Sequence, residues 1–206
     1  MSNRIFCLLG KSSTGKDKLY QSLISDPELG LQRLVPYTTR PIRTGEQEGR
    51  EYHFVTEEQY EALRDTGKIA EERSYPSVYG IWRYFTVLTG HVDLDRYSYL
   101  LIGTLESYLS LRRRCEETYG PGRIVPLYIE VEDGERLARA LARERKQEKP
   151  KYEELCRRFL ADTADFAPEK VREAGIRPED TFENRTGQFD RCEAAVRERI
   201  LQKMRE

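Results

Sequence analysis

The chain reads as an α/β protein with a parallel core sheet and helices on both faces, and three features predict it. An apolar run from Ile5 to Leu9 leads into a glycine-rich loop and then a helical segment. Later strand-like runs, at residues 99–102 and 124–131, alternate with helix-like ones, the pattern of parallel strands joined by crossover helices. Between them, residues 33–90 are rich in Tyr, Thr and Arg and carry short alternating runs, at 51–55 and 79–87. That texture predicts a small mixed or antiparallel sheet inserted as a subdomain.

Taken in order, residues 5–9 form a strand buried on both faces, ended by Gly10. The helix after Gly15 places Leu19, Leu23 and Ile24 on one side and stops at Pro27. Inside the insertion, Thr56 and Gln59 have the spacing of a capping box opening a short helix. The strand at 99–102 is followed by a helix over 105–119, halted by Gly120-Pro121-Gly122. Pro126 in the third strand requires a place near the strand's start or at an edge. A charge-dense stretch, 135–151, precedes a helix over 152–166 with Tyr152, Leu155, Phe159, Thr163 and Phe166 on one face. The last helix carries Phe189, Cys192, Val196 and Ile200 on one face.

With 206 residues one sizeable core is possible without metal or disulfide staples. The net charge of −1, from interspersed charges, gives no field that would favour nucleic acid or an anionic membrane. None of the four cysteines lies in a CxxC pair, and there are two histidines, so no zinc set is expected. Cys7, Cys156 and Cys192 fall in apolar settings and read as buried free thiols of a cytoplasmic protein. Neither a leader pattern nor a membrane-length apolar stretch is present.

Gly10-Lys11-Ser12-Ser13-Thr14-Gly15-Lys16-Asp17, between strand and helix, fits the phosphate-binding P-loop. Its glycines let backbone N–H groups approach phosphate oxygens, and the helix N-terminus adds partial positive charge. Lys16 reaches the β- and γ-phosphates as a mobile cation. Asp17 stands where a Ser or Thr hydroxyl usually meets Mg²⁺, and its carboxylate is also a hard oxygen ligand. A second cluster, Thr38-Thr39-Arg40-Pro41-Ile42-Arg43, places two guanidinium forks around a proline, suited to a phosphate dianion, with Tyr52 nearby as a hydroxyl donor.

The run from Thr38 to Val55 resembles the acceptor-binding pattern of guanylate kinases, T-T-R-x-x-R-x-G-E-x-x-G-x-x-Y-x-F-V, at the right separation from a P-loop. The resemblance implies that Arg40, Arg43 and Tyr52 hold the phosphate of GMP. It implies that Glu71 or Glu72, with Tyr79, meets the guanine end. Arg143, Arg145 and Arg158 or Arg157 match the arginines of a mobile lid over ATP, and Asn184 matches a residue near adenine. Residues 1–32, 91–136 and 159–206 then form the core, 33–90 the acceptor-binding subdomain and 137–158 the lid. Three positions depart from the pattern: Pro36 replaces a Ser, Trp82 a Ser or Thr, and Thr104 an acid at the end of the second core strand. The implied reaction is Mg²⁺-dependent transfer from ATP to GMP, with Lys16, Arg40, Arg43, Arg143 and Arg158 supplying the charge and Gly10, Ser12, Ser13, Thr14, Gly15 and Asp17 completing the ATP and metal site. Two alternatives stay open. One is a sugar-phosphate acceptor such as ribose bisphosphate, because some related kinases also have a loop ending in Gly-Lys-Asp. The other is a non-catalytic interaction module, although such modules typically lose the loop that is kept here.

Overall fold

The structure is a computed structural model that describes residues 2–43, 45–77 and 80–206. Its strands are β1 (Ile5–Leu9), β2 (Gln32–Arg33), β3 (Tyr37–Thr38), β4 (His53–Phe54), β5 (Ile69–Ser77), β6 (Gly80–Val87), β7 (Tyr99–Ile102), β8 (Ile124–Glu130) and β9 (Thr181–Glu183). Its helices are α1 (Lys16–Ser25), α2 (Glu57–Asp65), α3 (Leu105–Tyr119), α4 (Asp133–Glu144), α5 (Tyr152–Asp165), α6 (Pro168–Glu173) and α7 (Phe189–Arg205), with a 3₁₀ turn at Pro178–Asp180.

The core is a parallel sheet in the order β2-β7-β1-β8-β9. Central β1 is buried throughout, which is why its sequence is apolar without alternation. Ile5, Cys7 and Leu9 face one layer, with Tyr108, Leu111 and Cys115 of α3. Phe6 and Leu8 face the other, with Leu19 and Leu23 of α1 and Cys192, Val196 and Ile200 of α7. Helices thus cover both faces, as the alternation of elements predicts. Pro126 sits in β8 opposite Cys7, inside the sheet. The β9 pairing begins only at Tyr128, so beside Pro126 the strand is locally an edge and the missing N–H is tolerated.

The inserted segment forms a second sheet, β4-β3-β6-β5, in which β3 and β4 run parallel and the other pairs antiparallel. Tyr60 of α2 packs on Phe85 and Val87 of β6, giving this subdomain a core of its own. The capping box at Thr56 is formed: its side chain accepts from Gln59 N, and Gln59 answers to Thr56 N.

Two sequence expectations are corrected. Cys156 is exposed, while Cys7, Cys115 and Cys192 are buried. On α5, Tyr152 and Thr163 are also exposed, and Leu155 and Phe166 carry the burial. The helix packs against α4 over a short patch and not against the sheet along its length, so its apolar stripe is only partly covered. Among the described residues no helix is long and apolar enough to cross a membrane.

Candidate active site

The glycine-rich loop joins the end of β1 to the start of α1, and its shape depends on two glycines. Gly10 has φ +142°, and a Cβ there would lie 2.4 Å from the Ile129 carbonyl oxygen. Gly15 has φ +92°, and a Cβ there would lie 2.6 Å from Nδ2 of Asn184. Only glycine meets both conditions. Buried Asn184 donates from that amide to the Thr14 carbonyl at 2.8 Å, bracing the loop from the core side. Thr14 in turn donates its hydroxyl to the Lys11 carbonyl at 2.9 Å.

Lys16 folds back over the loop, donating to the carbonyls of Gly10 at 2.6 Å and Lys11 at 2.7 Å. Desolvation of its ammonium, only partly offset by Asp17 and Asp162, lowers its pKa to about 8.

A cavity of about 630 Å³ opens beside the loop, lined by Ser12, Ser13 and Lys16 together with Arg139, Arg143 and Arg158. Arg143 donates to Ser13 Oγ at 3.2 Å. Arg158 lines this space, whereas its neighbour Arg157 turns outward and pairs with Glu154 at 2.7 Å. Arg145, the C-cap of α4, is exposed outside the cavity wall. Sequence reasoning missed the residue that ties the charged helices to the loop. Asp162 of α5 accepts from Ser12 N at 2.7 Å and from buried Arg136 at 3.2 Å. Arg136 also pairs with Asp133 at 3.0 Å and lies over the Phe159 ring. No local motif marks Asp162, because its partner lies 150 positions earlier.

A second cavity, about 350 Å³, lies between the core and the inserted subdomain, with Pro36, Arg50, Tyr52 and Ile102 in its walls. Asp17 lines both cavities. Arg40 is buried and gripped by Glu46 through two contacts, 2.8 and 3.0 Å, that hold the Glu46 carboxyl below its usual range. Its guanidinium lies over Tyr52 and Phe54, and its Nε–H is buried with no hydrogen-bond partner among the described residues. An orphaned buried donor next to a cavity suits an anionic ligand. Arg43 is exposed, and its backbone N–H also binds Glu46, at 2.8 Å.

Strand alternation separates Glu71 from Glu72. Glu71 is buried on the inner face of β5, accepting from Thr86 Oγ1 at 2.8 Å and from Arg73 Nε at 3.1 Å. Glu72 is on the outer face, paired with Arg83 at 3.1 Å. Arg73, which sequence reasoning passed over, extends to within 3.5 Å of Thr104 Oγ1 on the core. Thr104 itself caps α3. Trp82 lies opposite Tyr75 on the hairpin, and Tyr79 lies outside the described residues.

Among the described residues no group of three or more His, Cys, Asp or Glu converges as a metal cage. A lone carboxylate, Asp17, in the first turn of α1 between the two cavities fits an ion that arrives with nucleotide phosphates and keeps most of its waters.

The family model for guanylate kinase matches residues 2–83, the stretch that holds the loop and the Arg40 cluster. The guanylate kinase of Aromatoleum aromaticum is 36% identical over 95 residues, 44% of this chain and 46% of that protein. The guanylate kinase of Nitratidesulfovibrio vulgaris is 39% identical over 94 residues, 45% of this chain and 42% of that protein. These matches span less than half the length of each relative. The crystal structure of guanylate kinase from Anaplasma phagocytophilum superposes over 100% of this chain and 88% of that one, with a TM-score of 0.59 and 19% identity, a likeness of fold. The chain is thus similar in sequence to guanylate kinases over residues 2–83 and has their fold throughout.

Proposed function

We propose that the protein transfers the γ-phosphoryl group of ATP to the phosphate of a nucleoside monophosphate, GMP, giving ADP and GDP. The observation that carries this reading is the pair of cavities meeting at Asp17, one walled by the P-loop and Arg143, the other by Tyr52 beside Arg40. In-line transfer needs a donor and an acceptor phosphate held end to end, with charge stabilisation between them. Lys16 and the loop N–H groups would hold the ATP phosphates, and Arg143 and Arg158 would face the transferring group from the lid, residues 137–158. Arg40, Arg43 and Tyr52 would orient the acceptor phosphate. A Mg²⁺ ion, when bound near Asp17, would neutralise charge on the phosphate oxygens. Arg145 and Asn184 are proposed at the ATP side, and Glu71, Glu72 and Tyr79 at the base end of the acceptor. The fold, the N-terminal match to guanylate kinases and the buried orphan donor of Arg40 support the reading.

ADP formation with ATP, Mg²⁺ and a panel of GMP, dGMP, AMP, CMP, UMP and ribose bisphosphate tests it. Turnover with GMP that falls at least a hundredfold, roughly the effect of one lost charge-stabilising donor, in Arg40→Ala is the expected result. Absence of GMP turnover in protein that still binds ATP would sink it. One observation favours a second acceptor, a sugar phosphate: Thr104, not a carboxylate, stands just past the end of β7 facing the inserted subdomain. Turnover of ribose bisphosphate alone would select that reading.

A further inference from the structure

We propose that Asp162 is a built-in competitor for the ATP phosphates, a carboxylate plug seated on the P-loop that nucleotide must displace in order to bind. This rests on the reading of residues 10–17 as an ATP site given above, and adds to it a self-inhibiting contact.

Backbone N–H groups of such a loop are the donors that meet phosphate oxygens. The Ser12 N–H donates instead to Oδ2 of Asp162 at 2.7 Å, across 150 positions of chain. The same carboxylate acts on Lys16, whose pKa is lowered by burial and drawn part of the way back by Asp17 and Asp162. An anionic oxygen on that N–H and near that ammonium has the charge and acceptor chemistry of a phosphate oxygen. Two anions cannot share one donor without strong repulsion, so Asp162 and a bound phosphate exclude each other.

The plug belongs to a chain of contacts that leaves the loop at Lys11 and returns to it at Ser12. Lys11 pairs with Asp133 at 3.1 Å, Arg136 Nε donates to Asp133 at 3.1 Å, and Arg136 Nη1 donates to Asp162 at 3.2 Å. The cations and anions of this chain cancel, which masks positive charge beside the loop. Ejection of Asp162 is also cheap in structural terms. Asp162 is partly exposed and can turn to water, and buried Arg136 keeps Asp133, so no charge is stranded in the interior. Arg158 lies one turn earlier on α5 and lines the cavity beside the loop, so release of the plug frees the helical segment that carries it.

Calorimetric titration of the full chain with ATP and with inorganic tripolyphosphate, each with Mg²⁺, compares wild type, Asp162→Ala and Asp162→Asn. A loop that is plugged most of the time binds with an apparent Kd raised by the inverse of its open fraction. Asp162→Ala should therefore bind both ligands at least about tenfold more tightly, the size of one charge-assisted hydrogen bond. Asp162→Asn keeps an acceptor for Ser12 and Arg136 but loses the charge. It should gain in the same direction by a smaller factor, and it guards against misfolding of the alanine variant. Equal or weaker binding of ATP by the folded variants would make Asp162 a brace of the loop, overturning the plug and leaving the ATP reading intact. A gain for ATP that tripolyphosphate does not share would place the competition away from the phosphates, and would overturn the plug as well. Failure of all three proteins to bind either ligand would overturn the ATP reading itself, and the plug with it.

Discussion

On the proposed reading, Lys16 is the side chain that would couple ligand binding to protons. Its free-state pKa near 8 reflects desolvation. Phosphate oxygens bound beside the ammonium would raise that value, so binding takes up a proton wherever pH lies between the free and bound pKa values. We expect ATP affinity to be flat below pH 7 and to fall as pH rises above about 8. Calorimetry in buffers of different ionisation enthalpy should show proton uptake near pH 8, and uptake of none would contradict the assigned environment. Gly15 is the second residue-scale case. A Cβ there must adopt φ +92° and meet the Asn184 amide that braces the loop. Gly15→Ala should lower stability by about 1–3 kcal/mol and abolish ATP binding, read by thermal melting and nucleotide titration.

Between elements, two ionic contacts fix how helices sit on the sheet. Asp180, in the 3₁₀ turn before β9, accepts from Arg199 of α7 at 2.7 and 2.9 Å, and both are buried. Removing Arg199 leaves buried Asp180, among the described residues, with only the 3.3 Å contact from exposed Arg177, so Arg199→Ala should cost about 3 kcal/mol in chemical denaturation. The double replacement Asp180→Leu with Arg199→Met should recover most of it. Asp162 plays a different part, because it joins α5 to the backbone of the P-loop. In Asp162→Ala the Ser12 N–H loses its acceptor and Arg136 one of its two carboxylates. Hydrogen exchange in α5 and at Ser12 should speed up, with the global melting midpoint falling much less than in Arg199→Ala. Equal losses would mean that α5 belongs to the main cooperative unit.

At the scale of the molecule, a rigid parallel sheet carries two attachments, the four-stranded subdomain with its own core and the α4–α5 helices bound to the loop mainly by polar contacts. Both border the cavities that meet at Asp17, so filling both should draw them together. Small-angle scattering should show a smaller radius of gyration with GMP and a non-hydrolysable ATP analogue together than with either alone. An unchanged radius would argue for a preformed cleft.

The chemistry that lies within one short stretch was legible from the sequence. The P-loop from Gly10 to Asp17, the capping box at Thr56 and Gln59, and helix α3 with its stop at Gly120 all depend on neighbours a few positions apart, and local backbone rules suffice for them. The Arg40–Arg43 spacing was legible too, as residue types, but not that Arg40 is buried against Glu46 while Arg43 is exposed. The choices between adjacent residues were not. Glu71 and Glu72 differ only in which face of β5 they occupy, and that polar strand carries no apolar stripe to reveal its inner side. Arg157 and Arg158 differ only in helix phase, set by how α5 packs against α4. Asp162 at Ser12, Arg73 at Thr104 and Asn184 beneath Thr14 join residues 150, 31 and 170 positions apart. Hydrogen bonds at such separations come from sheet order and helix docking, so only the tertiary structure decided which carboxylate is buried, which arginine lines the cavity and what holds the loop in place.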